Sequence, residues 1–254
     1  MSSIYRFLVA VCAIMALGAC KKQTPVKGNF AVLRIYGVIK DNEYLVTNFK
    51  GSEPLDIYKD ATRISAGGNA YGFNKFYVYD SPQSIGFYYY KDTMPKSEPV
   101  LKLDLELEKG QIYTLFLSGT RNVVDTLLIK ENIPTFETTD SSTVFRFVNL
   151  SNDAPVSVNL KDEPYGSLIS SLPYQGISAW FRFPLVANMQ PYEFEVRDAA
   201  TGELLATYKD NDMTGAAGKT HRWLQKSRNH VFYGIRGETS SANKPQVRGF
   251  YDTY

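Results

Sequence analysis

Apolar and polar positions alternate with a period of two along most of this chain. The clearest case runs from residue 100 to 107, where Leu101, Leu103, Leu105 and Leu107 are separated by Lys102, Asp104 and Glu106. Successive strand residues point to opposite faces, so the pattern predicts a β-strand with its leucines toward a core and its charges toward water. Gly110 then turns the chain into Ile112-Tyr113-Thr114-Leu115-Phe116-Leu117, apolar enough to be a central strand. The same reading predicts strands at 32–38, 55–58, 76–79, 85–90, 124–129, 144–150, 156–160, 180–183, 192–197, 204–209 and 230–235. No long amphipathic helix is predicted.

An internal repeat organises these strands. Leu33-Arg34-Ile35-Tyr36 matches Phe145-Arg146-Phe147-Val148, Ile57-Tyr58-Lys59-Asp60 resembles Asn159-Leu160-Lys161-Asp162, and the segment from Leu107 to Tyr113 parallels the one from Leu224 to His230. Between the halves lies a polar, Pro-containing stretch from Asn132 to Ser142 whose large apolar side chains are few. The division predicted is a first β-sandwich at 31–134, a linker at 135–142 crossed by sparse contacts, a second β-sandwich at 143–238, and a tail or final strand at 239–254. Aromatic residues make up 14% of the chain, which suits strands, and a two-sheet sandwich is the economical way to bury alternating faces at this domain size.

The N-terminus carries a different signal. Arg6 precedes an apolar run from Phe7 to Leu17, and Leu17-Gly18-Ala19-Cys20 closes it, followed at once by Lys21-Lys22. The run is shorter than the roughly twenty residues of a membrane-spanning helix, and a basic start, an apolar centre and small residues before a cysteine predict a signal peptide, residues 1–19, removed before Cys20. The tetrapeptide resembles the lipobox of bacterial lipoprotein signals. That resemblance implies lipid attachment at Cys20, a lipidated tether over 20–30, a membrane partner reached through the N-terminal anchor, and an outer-membrane lipoprotein facing the periplasm or the cell surface. The chain has 2 cysteines; Cys12 leaves with the signal and Cys20 is taken by lipid, so no thiol remains for a disulfide, a metal or nucleophilic catalysis. Lys and Arg total 28 against 26 Asp and Glu, with no basic block of the kind that binds nucleic acid.

Leu107-x-x-Gly110-x-x-Tyr113 resembles the corner of fibronectin type III and other immunoglobulin-like domains, where a tyrosine hydroxyl bonds to an upstream backbone group. The strand and Asp/Pro-bearing loop Phe145-Arg146-Phe147-Val148-Asn149-Leu150-Ser151-Asn152-Asp153-Ala154-Pro155 is similar to tandem-domain Bacteroidota lipoproteins of unknown function. The resemblance implies an all-β chain of two tandem immunoglobulin-like β-sandwich domains behind a lipoprotein signal peptide, with no known chemistry. In this alignment His230 takes the place of Tyr113.

Motifs for chemistry are weak. Gly215-Ala216-Ala217-Gly218-Lys219-Thr220 ends like a phosphate-binding loop, but that motif requires glycine where Met213 stands. Gly67-Gly68 and Gly72 read as a loop. His221 and His230 are the only histidines, without the close spacing of a metal site, and no Gly-x-Ser-x-Gly elbow presents a nucleophile. No catalytic residue, metal or cofactor is predicted.

The aromatic concentration is the functional clue. In Phe76-Tyr77-Val78-Tyr79 and Phe87-Tyr88-Tyr89-Tyr90, alternation must send rings to both faces of a sheet. Tyr88 and Tyr90 are assigned first to a solvent-side ligand face, with Tyr77 and Tyr79 beside them if the two strands pair; the competing reading is that the opposing sheet and the second domain cover both faces. Tyrosine combines a flat apolar ring with a polar tip, suited to sugars or to a protein interface. The function expected is a non-catalytic binding or adhesion module for a glycan or an envelope protein. The alternative is a structural or assembly subunit of an outer-membrane complex.

Overall fold

A computed structural model of the protein describes residues 28–42, 45–49, 63–64, 74–90, 98–186, 189–209 and 222–252. Cys20 and the signal segment, the predicted strand at 55–58, the glycines from Gly67 to Gly72, the segment from Gly215 to Thr220, and His221 lie outside the described residues.

The described strands build two sandwiches. The first comprises β1 (Ala31–Gly37), β2 (Leu45–Asn48), β3 (Arg63–Ile64), β4 (Lys75–Val78), β5 (Gln83–Tyr89), β6 (Leu101–Leu105), β7 (Ile112–Gly119) and β8 (Val124–Lys130). The second comprises β9 (Ser142–Asn149), β10 (Val156–Leu160), β11 (Ile169–Leu172), β12 (Phe181–Pro184), β13 (Glu193–Asp198), β14 (Leu204–Lys209), β15 (Ser227–Tyr233) and β16 (Gln246–Asp252). Sheet orders are β4-β1-β7-β8 and β3-β2-β5-β6 in the first, and β12-β9-β15-β16 and β11-β10-β13-β14 in the second. Each strand of the second sandwich therefore has the neighbours of the strand eight earlier, down to the parallel pairs β1–β7 and β9–β15. The halves repeat in topology, with β2 (Leu45–Asn48) the equivalent of β10 (Val156–Leu160), which corrects the matching of residues 57–60 with 159–162. The predicted two-sandwich, all-β architecture is present, with eight strands per sandwich among the described residues where a constant-type immunoglobulin domain has seven.

Period two decides what enters each core. Leu33, Ile35, Val78, Phe87, Tyr89, Tyr113, Leu115 and Leu117 meet between the first two sheets; Phe145, Phe147, Val156, Val158, Phe194, Val196, Trp223 and Phe232 meet between the second two. Tyr113 makes the predicted corner: its hydroxyl accepts a hydrogen bond from the Glu108 backbone N–H at 3.2 Å.

The register corrects the counterpart of that tyrosine. Leu33 pairs with Tyr113 and Phe145 pairs with Arg228, while His230 pairs with Phe147. Aligning Leu33 with Phe145 thus places Arg228 at the corner, and His230 at the position of the core residue Leu115. Turn geometry agrees, because Gly110 and Gln225 both have positive φ, 78° and 53°. Gly110 N–H donates to the Phe30 carbonyl at 2.8 Å, as Gln225 N–H does to that of Ser142 at 2.8 Å. The sequence alignment was displaced by two residues because the strand apolar pattern repeats every two. Arg228 stacks 3.8 Å from the centroid of Trp223 and donates to the upstream Arg222 carbonyl, replacing the corner hydroxyl with a guanidinium.

The expectation of sparse contacts across the linker does not hold. Tyr36, Val38 and Phe116 from the outer face of the first sandwich pack with Val148, Leu150, Val231, Tyr233 and Phe250 from the second, forming a third buried apolar cluster. Residues 135–142 are themselves tied down: Gln225 donates to the carbonyls of Glu137, Thr138 and Asp140, and Arg182 donates to the Thr135 carbonyl and the Asp140 carboxylate while stacking on Phe136. A polar composition concealed this, because the contacts are made by backbone carbonyls rather than apolar side chains.

Candidate functional site

Edge strand β4 separates its residues cleanly. Phe76 and Val78 face the first core, so Tyr77 and Tyr79 must point away from it. They are 53% and 60% exposed, high for aromatic side chains. Their position beside β1 comes from the antiparallel pairing of Tyr77 with Val32. Phe30, just before β1, is held by the Gly110 hydrogen bond to its carbonyl, and its ring meets Tyr77 at 5.0 Å and Tyr79 at 5.6 Å, edge-on to both. Such contacts are worth about 0.5–1.5 kcal/mol each beyond burial. They restrict the two tyrosine rings before any ligand arrives, which lowers the entropic cost of binding. Lys75 places its ammonium 5.4 Å from the centroid of the Tyr77 ring.

The four tyrosines do not form one face. Strand β4 pairs with β1 in one sheet, whereas β5 pairs with β2 and β6 in the other, so the two aromatic strands lie in opposed layers. Tyr88 and Val46 lie together on the outer side of their sheet and are buried, Tyr88 being 1% exposed. Tyr90 is half-buried, with the Arg63 guanidinium 3.9 Å from its ring centroid and donating a 2.6 Å hydrogen bond to its hydroxyl. Solvent-side placement is therefore corrected for Tyr88, and the accessible face of Tyr90 is covered from within the chain. The sequence could not distinguish them from Tyr77 and Tyr79, because strand parity assigns a face and says nothing about what covers it.

Phe30 was missed. Its only sequence signal is an aromatic ring immediately before a strand; the carbonyl anchor on Gly110 is a long-range contact. What remains is a small exposed aromatic group with hydroxyl tips and a neighbouring cation, able to stack on the apolar face of a sugar ring or to accept a partner side chain.

His230 is no ligand residue. It is fully buried among Phe145, Phe147, Phe194, Tyr208 and Trp223, stacked on Phe145 at 4.9 Å, and neither ring nitrogen has a hydrogen-bond partner among the described residues. Burial, with a smaller contribution from the Arg228 charge, lowers its pKa from 6.5 to about 3. A separate open cleft of about 560 Å³ runs between β14 and β16, lined by Leu204, Thr207, Glu238, Lys244 and Gln246 among others, with no aromatic ring in its wall.

No protein-family model matches the chain, and no curated protein matches it. Among solved structures, similar chains include a candidate polysaccharide-binding protein (DUF1812) of Bacteroides thetaiotaomicron, 10% identical, covering 89% of this chain and 98% of its own, with a TM-score of 0.23. A candidate adhesin of Bacteroides ovatus is 12% identical, covering 89% and 93% respectively, with a TM-score of 0.24. Likeness at this level assigns no ligand.

Proposed function

We propose that the protein is a lipid-anchored envelope protein that binds a glycan or a protein ligand without catalysis, through Tyr77, Tyr79 and Phe30. The observation that carries the reading is the exposure of two tyrosine rings on one face of an edge strand, braced by a third ring. Their neighbours on the same sheet, Tyr36 and Phe116, are covered by the second sandwich. A soluble domain gains nothing in stability from aromatic rings left in water, so rings held in place yet uncovered are an available contact surface. The signal-like segment ending at Cys20 supports an anchor at the outer membrane, facing the periplasm or the cell surface. Replacing Tyr77 and Tyr79 together by Ser and probing a glycan array alongside solubilised envelope proteins tests the site. Loss of ligand with an unchanged Tm is the expected result; retention of every ligand would refute it.

Among the described residues strand β4 is also the edge of its sheet, which favours a second reading, a structural or assembly subunit of an outer-membrane complex. In that case the same double substitution releases protein partners from the complex and leaves the glycan array blank.

A further inference from the structure

We propose that the two sandwiches act as one cooperative, rigid body, locked by a buried ion pair and two flanking hydrogen-bond sets, so that the segment joining them is a strut and no hinge. The centre of the lock is Arg146 on β9. Its Nη2 donates to both oxygens of Glu131, at 2.6 and 2.8 Å, and its Nε donates to Asn229 Oδ1 on β15 at 2.6 Å. The side chains of Arg146 and Glu131 are 6% and 0% exposed, and Trp180 lies against the guanidinium at 4.5 Å from its centroid. Glu131 follows the last strand of the first sandwich, its N–H donating to the Ile112 carbonyl on β7 at 2.8 Å. A carboxylate positioned by one sandwich is thus satisfied by a cation positioned by the other, so that removing either charge alone leaves its partner buried and uncompensated in the other sandwich.

Two further sites flank this pair. Near β8, Tyr174 Oη donates to Asp125 Oδ2 at 2.7 Å and lies 3.3 Å from Ser118 Oγ, while Gln175 Nε2 donates to the Thr126 carbonyl. Beyond β1, Asp41 and Asn243 bond reciprocally: Asp41 N–H donates to Asn243 Oδ1 at 2.8 Å and Asn243 Nδ2 donates to Asp41 Oδ1 at 2.7 Å. Three polar attachments from separate segments, with the Tyr36, Phe116 and Phe250 ring cluster among them, define an orientation that one attachment could not. Directional hydrogen bonds set the angle, and the apolar cluster supplies the attraction.

The test uses the full chain. Both tryptophans, Trp180 and Trp223, lie in the second half, so their fluorescence in urea follows the second sandwich, while hydrogen exchange of β1 and β7 peptides follows the first. Coincident midpoints are expected; two separate midpoints would overturn the proposal. Arg146→Gln, a change in the second sandwich, is expected to accelerate exchange in β1 and β7 about tenfold or more, and Glu131→Gln to do the same to β9 and β15. Effects confined to the sandwich bearing the substitution would overturn it. Should neither variant fold, spin labels on cysteines introduced at exposed Lys102 and Thr201 of the otherwise unaltered protein still decide: one narrow distance distribution supports the lock, and a broad one refutes it.

Discussion

His230 makes the stability of the second sandwich depend on acid in a way that can be calculated. In the folded protein its ring is caged by aromatic side chains with no hydrogen-bond partner for either nitrogen among the described residues, and burial first, then the Arg228 charge on the same strand, lower its pKa from 6.5 to about 3. The unfolded chain therefore binds a proton that the folded chain refuses. Stability is intact above pH 6.5, declines by about 1.4 kcal/mol per unit as pH falls below that value, and levels off near pH 3. At pH 5 the loss is about 2 kcal/mol relative to pH 7, a sizeable share of the 5–15 kcal/mol typical of a domain. His230→Leu is the informative substitution, because the register shows that the first sandwich holds Leu115 at the same position. Urea unfolding followed by tryptophan fluorescence between pH 7.5 and 4.5 gives the two stability curves. Their intercepts differ by whatever leucine changes in packing, but the difference between them isolates the titration of this one group. The variant is expected to lose about 2.7 kcal/mol less than the parent over that range. Parallel curves would refute the reasoning and show that the cage admits a proton or a water.

Tyr113→Phe removes the acceptor of the Glu108 N–H and should cost about 1–2 kcal/mol by urea unfolding with ligand binding unchanged, since the ring faces the core. Gly249→Ala would set a methyl 2.4 Å from Tyr208 Oη and should destabilise by about 1–3 kcal/mol; Tyr208→Phe in the same chain should recover most of that loss, and a double-mutant cycle showing simple additivity would contradict the contact. Cys20→Ala should abolish lipidation and move the protein from membrane to soluble fractions, and an unmodified N-terminus in the parent, seen by mass spectrometry, would exclude the anchor.

Local pattern alone determined a good deal of this protein. Alternation placed Phe76 and Val78 inward and Tyr77 and Tyr79 outward, and Leu107, Gly110 and Tyr113 marked a corner that the hydroxyl of Tyr113 completes. These follow from the two-residue period of a strand and from a turn needing positive φ, properties of a few adjacent residues. The repeat between the halves was visible too, but its register was not, because a period of two fits equally well when displaced by two; the bridge between Phe145 and Arg228 was needed to move the corner off His230. Strand β2 gives no signal, since Leu45-Val46-Thr47-Asn48 is short and half polar; the expectation of a tail or a final strand over 239–254 does not single out β16, where Gly249 interrupts the alternation for the sake of Tyr208, a residue some forty positions away. Tertiary structure alone decided which outward faces stay open. Tyr36, Phe116 and Tyr88 are outward by parity and buried in fact, while Tyr77 and Tyr79 remain in water, because coverage depends on where whole sheets meet. The joint between the sandwiches is the extreme case: no local pattern pairs Glu131 with Arg146, and only their meeting in a dry interface gives them a structural role.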